Sequence, residues 1–332
     1  MATIYEVSKL AGVSLATVSR VMNNNANVSD ATRKKVTAAM DKLGYRPNSI
    51  AQSLASNCSN SVGLLVSELQ GPFYGPMMSG IEDTFRNQGK HLIIAAGHSD
   101  EEREKQGIEF LISRNCDGLI LHVEAVSDEY LIKLSKGRTP FVLINRYISE
   151  LSDRCILLNN IKGGYLAAKH VLEHGHKKIA YISGPLWKQD AKDRLEGHKQ
   201  ALHEFNLEFD ENLLFQGDFM EESGYEGLKA LHQQTHPFTA LICANDEMAV
   251  GAMASARDLG LTLPKQLSFM GYDNVFFTRH VYPQLTTVNY PIDEMGRMAA
   301  DWVLNHVYQK QTPPLQTLFE PELVVRHSIS CQ

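Results

Sequence analysis

Seven residues of two chemical kinds stand just past short apolar runs in the second part of this sequence. They are Phe73 in "GPFYG", His122, Asn145 in "LINR", Arg194 in "DRLEG", Phe219 in "GDFMEESG", Asn245 in "ANDE" and Asp273 in "GYDN". Arg, Asn and Asp are planar forks that donate to or accept from two neighbouring hydroxyls at once, and an aromatic ring offers a flat apolar face. A sugar presents both needs: vicinal hydroxyls and a pyranose C–H face. Each residue also has a plainer use. Asp273 can cap a turn, Asn245 can cap a helix starting near 247, and Phe219 can be core. Their recurrence after successive apolar runs favours the binding reading for the set.

No motif supports bond-making chemistry. "GPMMSGIE" opens like a phosphate loop but lacks the Lys-Ser/Thr that holds phosphate and magnesium, and neither G-x-S-x-G nor G-x-G-x-x-G occurs. His170 and His174 in "KHVLEHGHKK" lie one helical turn apart, with His176 nearby. The expectation is that they decorate a helix end at Gly175, where cations suit the dipole, and bind no metal. The five cysteines are scattered singly, so reduced, mostly buried thiols are expected and no disulfide framework or zinc site. No cofactor is called for.

The elements that must position the seven residues are legible as alternation. "SVGLLVSEL", "HLIIAAG", "CDGLILHV" and "TPFVLINR", then "KIAYISG", "FTALICAN" and "LSFMGYD", are near-continuous apolar runs separated by helical stretches. Such runs read as parallel strands covered on both faces, and two successive sets imply two doubly wound lobes of an α/β protein. Ligands of such sheets sit beyond the carboxyl ends of the strands, where the seven residues stand. At 332 residues, 43% of them hydrophobic and 21% charged, the chain is long enough for two or three compact units and is globular in composition. Its apolar runs fall far short of the roughly 18 residues of a membrane helix, and the first twenty residues have no signal-peptide core, so a cytoplasmic protein is expected.

Charge divides the chain differently. Residues 1–59 hold seven Lys/Arg against three acids, a net of +4, which leaves −10 for the rest of a chain at −6. A basic front on an acidic body points to a polyanionic partner at the front. Thr3 with Glu6 is a capping-box pattern, Val7, Leu10 and Ala11 form the stripe of a first helix, and Gly12 ends it. Ser14 caps a second helix, and a third runs from Ser29 through Val36, Met40 and Leu43 to Gly44. Two short helices on a glycine turn make a helix-turn-helix. The second helix turns Val18, Val21 and Met22 to one side and Leu15, Ala16, Ser19 and Arg20 to the other. That other side suits a DNA major groove: Arg20 for guanine O6/N7, Leu15 and Ala16 for thymine methyls, Ser14 and Thr17 for phosphates.

"TIYEVSKLAGVSLATVSRVMNN", "VSDATRKKVTAAMDKLGYRPN", "AQSLA", "ANDEMAVGAM", "LSFMGYDN" and "LTTVNYP" together resemble the lactose-repressor/galactose-repressor family of bacterial regulators. "VLINRY", "DRLEGH" and the terminal "VVRHSIS" are most similar to its galactose-repressor-type members. The resemblance implies a head at 1–46, a hinge helix and linker at 47–59, and a two-lobed periplasmic-binding-protein-like body at 60–332. Lobe 1 would be 60–159 with 290–319, and lobe 2 would be 160–289 with 320–332, the tail returning through a helix at 292–308. It further implies a dimer on operator DNA, released by a small sugar. It also makes Leu54 a minor-groove wedge on a hinge helix over 49–55, although Ile50 and Leu54 would otherwise read as packing on the body. Arg194, Asn245 and Asp273 fall on the family's effector-contacting positions, and Phe73 and Phe219 where it places apolar walls. His122 and Asn145 match positions that vary in type. "HSISCQ" holds no leucine heptad, so a dimer and not a tetramer is expected. A periplasmic-type sugar receptor, the alternative, would need an export signal and no basic head.

Overall fold

The computed structural model describes residues 2–22, 28–46, 58–234 and 236–332. The chain divides into two units, Met1–Asn60 and Ser61–Gln332.

In the first unit α1 (Ile4–Ala11), α2 (Leu15–Met22) and α3 (Asp30–Leu43) close on a core of Val7, Val18, Val21, Val36 and Ala39. Glu6 N–H donates to Thr3 Oγ1 at 3.4 Å and Thr3 N–H to Glu6 Oε2 at 2.7 Å, the reciprocal capping box. Gly12 ends α1 in the left-handed region at φ +66°. Ser14 Oγ receives the Thr17 N–H at 3.2 Å at the start of α2. The stripe of α1 is Ile4, Val7 and Ala11; Leu10, read from sequence as part of it, is 44% exposed. A helix turns 100° per residue, so position 10 has rotated off the seam that 4, 7 and 11 share. The hinge expected at 47–59, with Leu54, lies for the most part outside the described residues.

The second unit holds two six-stranded sheets. β1 (Ser61–Val66), β2 (His91–Ala96), β3 (Gly118–Leu121), β4 (Phe141–Ile144) and β5 (Cys155–Leu158) alternate with α4 (Tyr74–Arg86), α5 (Glu101–Ser113) and α6 (Asp128–Leu134). The chain then passes at Asn159 into α7 (Asn160–Glu173), β6 (Ile179–Ser183), α8 (Gln189–Glu204), β7 (Leu214–Gln216), α9 (Glu221–His232), β8 (Ala240–Cys243), α10 (Asp246–Asp258), β9 (Ser268–Asp273) and β10 (Thr286–Asn289). It returns with α11 (Ile292–Tyr308), which packs on α4, β3, β4 and β5, to β11 (Leu318–Phe319), and crosses again to β12 (Glu322–Val324). Strand order is β11-β5-β4-β3-β1-β2 in one lobe and β12-β10-β9-β8-β6-β7 in the other. All pairings are parallel except β10 with β12. β3 and β4 are buried along their whole length, which is why they read as unbroken apolar runs.

His170 and His176 correct the expectation of cationic histidines at the helix end by Gly175. His176 is buried, its two ring nitrogens bonded to Thr239 Oγ1 at 2.8 Å and Ser330 O at 2.9 Å. Burial holds both rings below the ordinary histidine pKa, hence neutral. Among the described residues no group of His, Cys, Asp and Glu is placed to hold a metal. Cys116, Cys155 and Cys243 are buried free thiols, Cys58 is half-buried and Cys331 exposed.

Candidate effector cleft and nucleic-acid interface

Arg194 is a deeply anchored charge of the second unit. It sits in the second turn of α8 and not at a strand end, and is 3% exposed. α8 can bring it there because glycines let α7 and α8 touch: a Cβ on Gly164 would lie 2.0 Å from Arg194 O, and one on Gly197 1.9 Å from Ile161 O. The guanidinium donates from Nε to Asn160 Oδ1 at 3.0 Å, and from Nη1 to Ala244 O at 2.5 Å and Asp273 Oδ1 at 3.4 Å. It lies 3.9 Å over the Tyr272 ring, whose hydroxyl also bonds Asn160 Oδ1. A buried arginine so engaged is fixed in position before any ligand arrives. Burial pushes the Asp273 carboxyl up, with Arg194 opposing it, while Arg194 stays charged.

Around Arg194 lies a cavity of about 360 Å³, between the carboxyl ends of the two sheets. Phe73, His122, Asn145, Arg194, Phe219, Asn245 and Asp273 all line it. Phe73 and Tyr74 stand at the start of α4, and the Phe73 ring meets Tyr74 and Tyr290 edge-on at 5.1 and 5.0 Å. His122 follows β3, 2% exposed, with Nδ1 3.3 Å from Ser67 Oγ and Nε2 without a protein partner. Burial lowers its pKa, so the ring is neutral. Asn145, Phe219 and Asp273 occupy the left-handed region at φ +60°, +74° and +106°. For Phe and Asp that conformation is strained, and such strain concentrates at binding sites. Phe219 is seated against Gly184, where a Cβ would fall 2.1 Å from the ring.

Asn245 serves two purposes. Its Oδ1 accepts from Met248 N–H at 3.0 Å, capping α10, and its Nδ2 donates to Phe219 O at 2.8 Å, so the plainer use is real while the side chain still faces the cavity. Sequence reasoning missed Ser67, Ser99, Glu124, Lys188 and Asp190, which line the same cavity. Glu124 Oε2 and Lys188 Nζ, one from each lobe, lie 2.7 Å apart, and Ser99 Oγ donates to Glu124. Burial raises the Glu124 carboxyl, but the charge and hydrogen bond of Lys188, with the hydrogen bond from Ser99, outweigh it and hold it below the usual range. As the first acid past "GLILHV", Glu124 carried a signal; Lys188 carried none.

On the first unit, Ser14, Ala16 and Arg20 are exposed and Leu15, Thr17 and Ser19 half-buried, while Val18 and Val21 of α2 are buried. Ser14 and Thr17 hydroxyls bond each other at 2.9 Å.

Residues 3–48 match the model of bacterial regulatory proteins, lacI family, and residues 168–329 that of a periplasmic binding protein-like domain. The chain is 39% identical over 330 residues to the HTH-type transcriptional regulator GalR of Escherichia coli (strain K12), covering 99% of this chain and 96% of that protein. It is 34% identical to the HTH-type transcriptional repressor PurR of Aliivibrio salmonicida (strain LFI1238) over 99% of both. Among solved structures, the lac repressor dimer bound to operator and the anti-inducer ONPF matches with a TM-score of 0.87 at 28% identity, over 99% of each chain. A transcriptional regulator CelR–cellobiose complex matches at 0.72 and 30%, over 99% of this chain and 100% of that one.

Proposed function

The chain belongs to the lacI family of bacterial regulatory proteins, and on that footing we propose that it is a dimeric transcriptional repressor of a sugar-utilisation operon. It is a regulator and not an enzyme. Residues 1–46 form the DNA-binding head, 47–59 the hinge and 60–332 the effector-binding and dimerising body, and it works in the cytoplasm where its DNA is. Two heads related by a two-fold axis read a pseudo-palindromic operator, α2 entering the major groove with Arg20 on a guanine. A small sugar in the cavity releases the operator. The observation that carries this reading is the convergence of Arg194, Asn245 and Asp273 from one lobe with Phe73, His122 and Asn145 from the other on one cleft. Forks and rings are the groups that hydroxyls and pyranose faces require. The same convergence on a chain without a basic helix-turn-helix would favour a transport receptor; the +4 front favours DNA.

The test selects an operator from random duplexes with the full-length protein and titrates it by fluorescence anisotropy with and without each member of a panel of hexoses, galactosides and β-glucosides. At least one sugar should lower operator affinity and, at 100 times its dissociation constant, stabilise the fold by roughly 2.7 kcal/mol. Failure to select any preferred duplex would remove the DNA-binding reading, and a selected operator that no sugar releases would remove the inducer.

A further inference from the structure

Beside the inner cavity lies a second compartment of about 760 Å³. Glu124, Asn145, Lys188 and Asp190 line both, so the Lys188–Glu124 ion pair stands in a shared wall that opens on either side. That wall is firmly built. The Glu104 carboxylate, 1% exposed, accepts the N–H groups of Glu124, Ala125 and Val126 at 2.8–2.9 Å. Arg146 donates to Glu124 O at 2.9 Å and Val126 O at 2.8 Å.

Two rings line the outer compartment, one from each lobe: Tyr147 past β4, 59% exposed, and Trp187 before α8, 53% exposed. Large rings left open at the mouth of a polar cleft lack the cover that a ligand's apolar face would give. Asn159, Gln189 and Asp193 supply hydrogen-bonding groups beside them. Every Lys and Arg lining either compartment already has a carboxylate: Lys188 with Glu124 at 2.7 Å, Arg194 with Asp273 at 3.4 Å, Arg146 with Asp128 at 2.7 Å. An anionic ligand would have to displace one of these partners.

We infer that the outer compartment is a second sugar subsite, so that the cleft takes an uncharged disaccharide. One ring occupies the inner cavity and the other lies against Trp187 and Tyr147. The inference rests on the reading of the inner cavity as a sugar site.

The chain has two tryptophans, Trp187 and the buried Trp302, so emission distinguishes the subsites. The full-length protein is titrated with glucose, galactose, cellobiose and lactose by calorimetry and tryptophan fluorescence. One disaccharide should bind more tightly than its own monosaccharide and shift emission to shorter wavelength, which the monosaccharide should not do. Trp187→Ala should weaken that disaccharide by about three- to tenfold while leaving monosaccharide affinity unchanged, and Trp187→Phe should restore most of the loss. Equal affinity for both members of each pair, with Trp187→Ala without effect, overturns the subsite; so does binding of monosaccharides alone. Both results leave the inner site standing. Binding of none of the four sugars would remove the inner site and the subsite together.

Discussion

At the scale of single residues, the burial and partners of a side chain decide what its loss does. Arg194 holds Asp273, Ala244 O and Asn160 in one network. Arg194→Ala should abolish release by sugar while operator affinity stays near normal, giving a repressor that cannot be induced. It also leaves buried acceptors without their donor, so a loss of about 3–5 kcal/mol in stability is expected, read by denaturant unfolding beside the operator titration. If that variant still released DNA at ordinary sugar levels, the cleft would not be the switch. Arg20→Ala, on the exposed side of α2, should cost about 1–3 kcal/mol of specific binding and relax base preference at one position per half-site, checked by competition with single-base operator variants. His198 governs a pH effect. It is fully buried between Tyr181 and Phe209 with neither ring nitrogen bonded, and burial, aided by Lys199, lowers its pKa to about 3. Below the ordinary value of about 6.5 the unfolded chain takes up a proton that the folded chain refuses, so this group costs stability as pH falls from 6.5 towards 3 and nothing above 6.5. His198→Leu should flatten that limb by about 1.4 kcal/mol per pH unit, measured as unfolding free energy at pH 7, 6 and 5 against the parent.

At the scale of elements, the contact of α7 with α8 sets where Arg194 stands. Gly164→Ala would drive a methyl to 2.0 Å from the Arg194 carbonyl, and backbone on both sides leaves no flexible side chain to yield. The helices must separate, at about 1–3 kcal/mol of stability, and α8 should carry Arg194 away from Asp273. Weaker sugar response together with a lower melting temperature is the expected pair of outcomes. Gly75→Ala, at the start of α4 where an added Cβ meets nothing within 4 Å, is the control and should leave stability nearly unchanged. A Gly164→Ala variant that melted like its parent would show that the crossing has slack.

At the scale of the whole molecule, a sugar held between two lobes favours one relative orientation of them, and operator affinity can change only by the difference in sugar affinity between the two orientations, typically about 1–3 kcal/mol. If the hinge transmits that orientation by wedging Leu54 into the minor groove, Leu54→Ala should weaken operator binding and bending while sugar affinity persists. Calorimetry with sugar and a circular-permutation bending assay separate these. A Leu54→Ala protein that bent DNA normally would end the wedge proposal.

The local grammar of this chain was written in its sequence, because caps and buried parallel strands are made by neighbours. Thr3 with Glu6, Gly12 and the apolar runs of β1, β3, β4, β6, β8 and β9 each act within a few residues. β7, β11 and β12 left no such run, since two or three residues carry too little periodicity to stand out, and β10, TTVN, is mostly polar in sequence although buried. Six of the seven cleft residues follow one rule, that ligands lie past the ends of parallel strands, whereas Arg194 stands inside α8. What the rule could not supply was which group meets which. Glu124 meets Lys188 across two lobes, His176 finds its acceptor 154 residues away on Ser330, and Arg194 reaches the cavity only because Gly164 and Gly197 let two helices touch. Those pairings depend on where whole lobes and helices come to rest, and that is fixed by the packing of distant surfaces, which local sequence does not record.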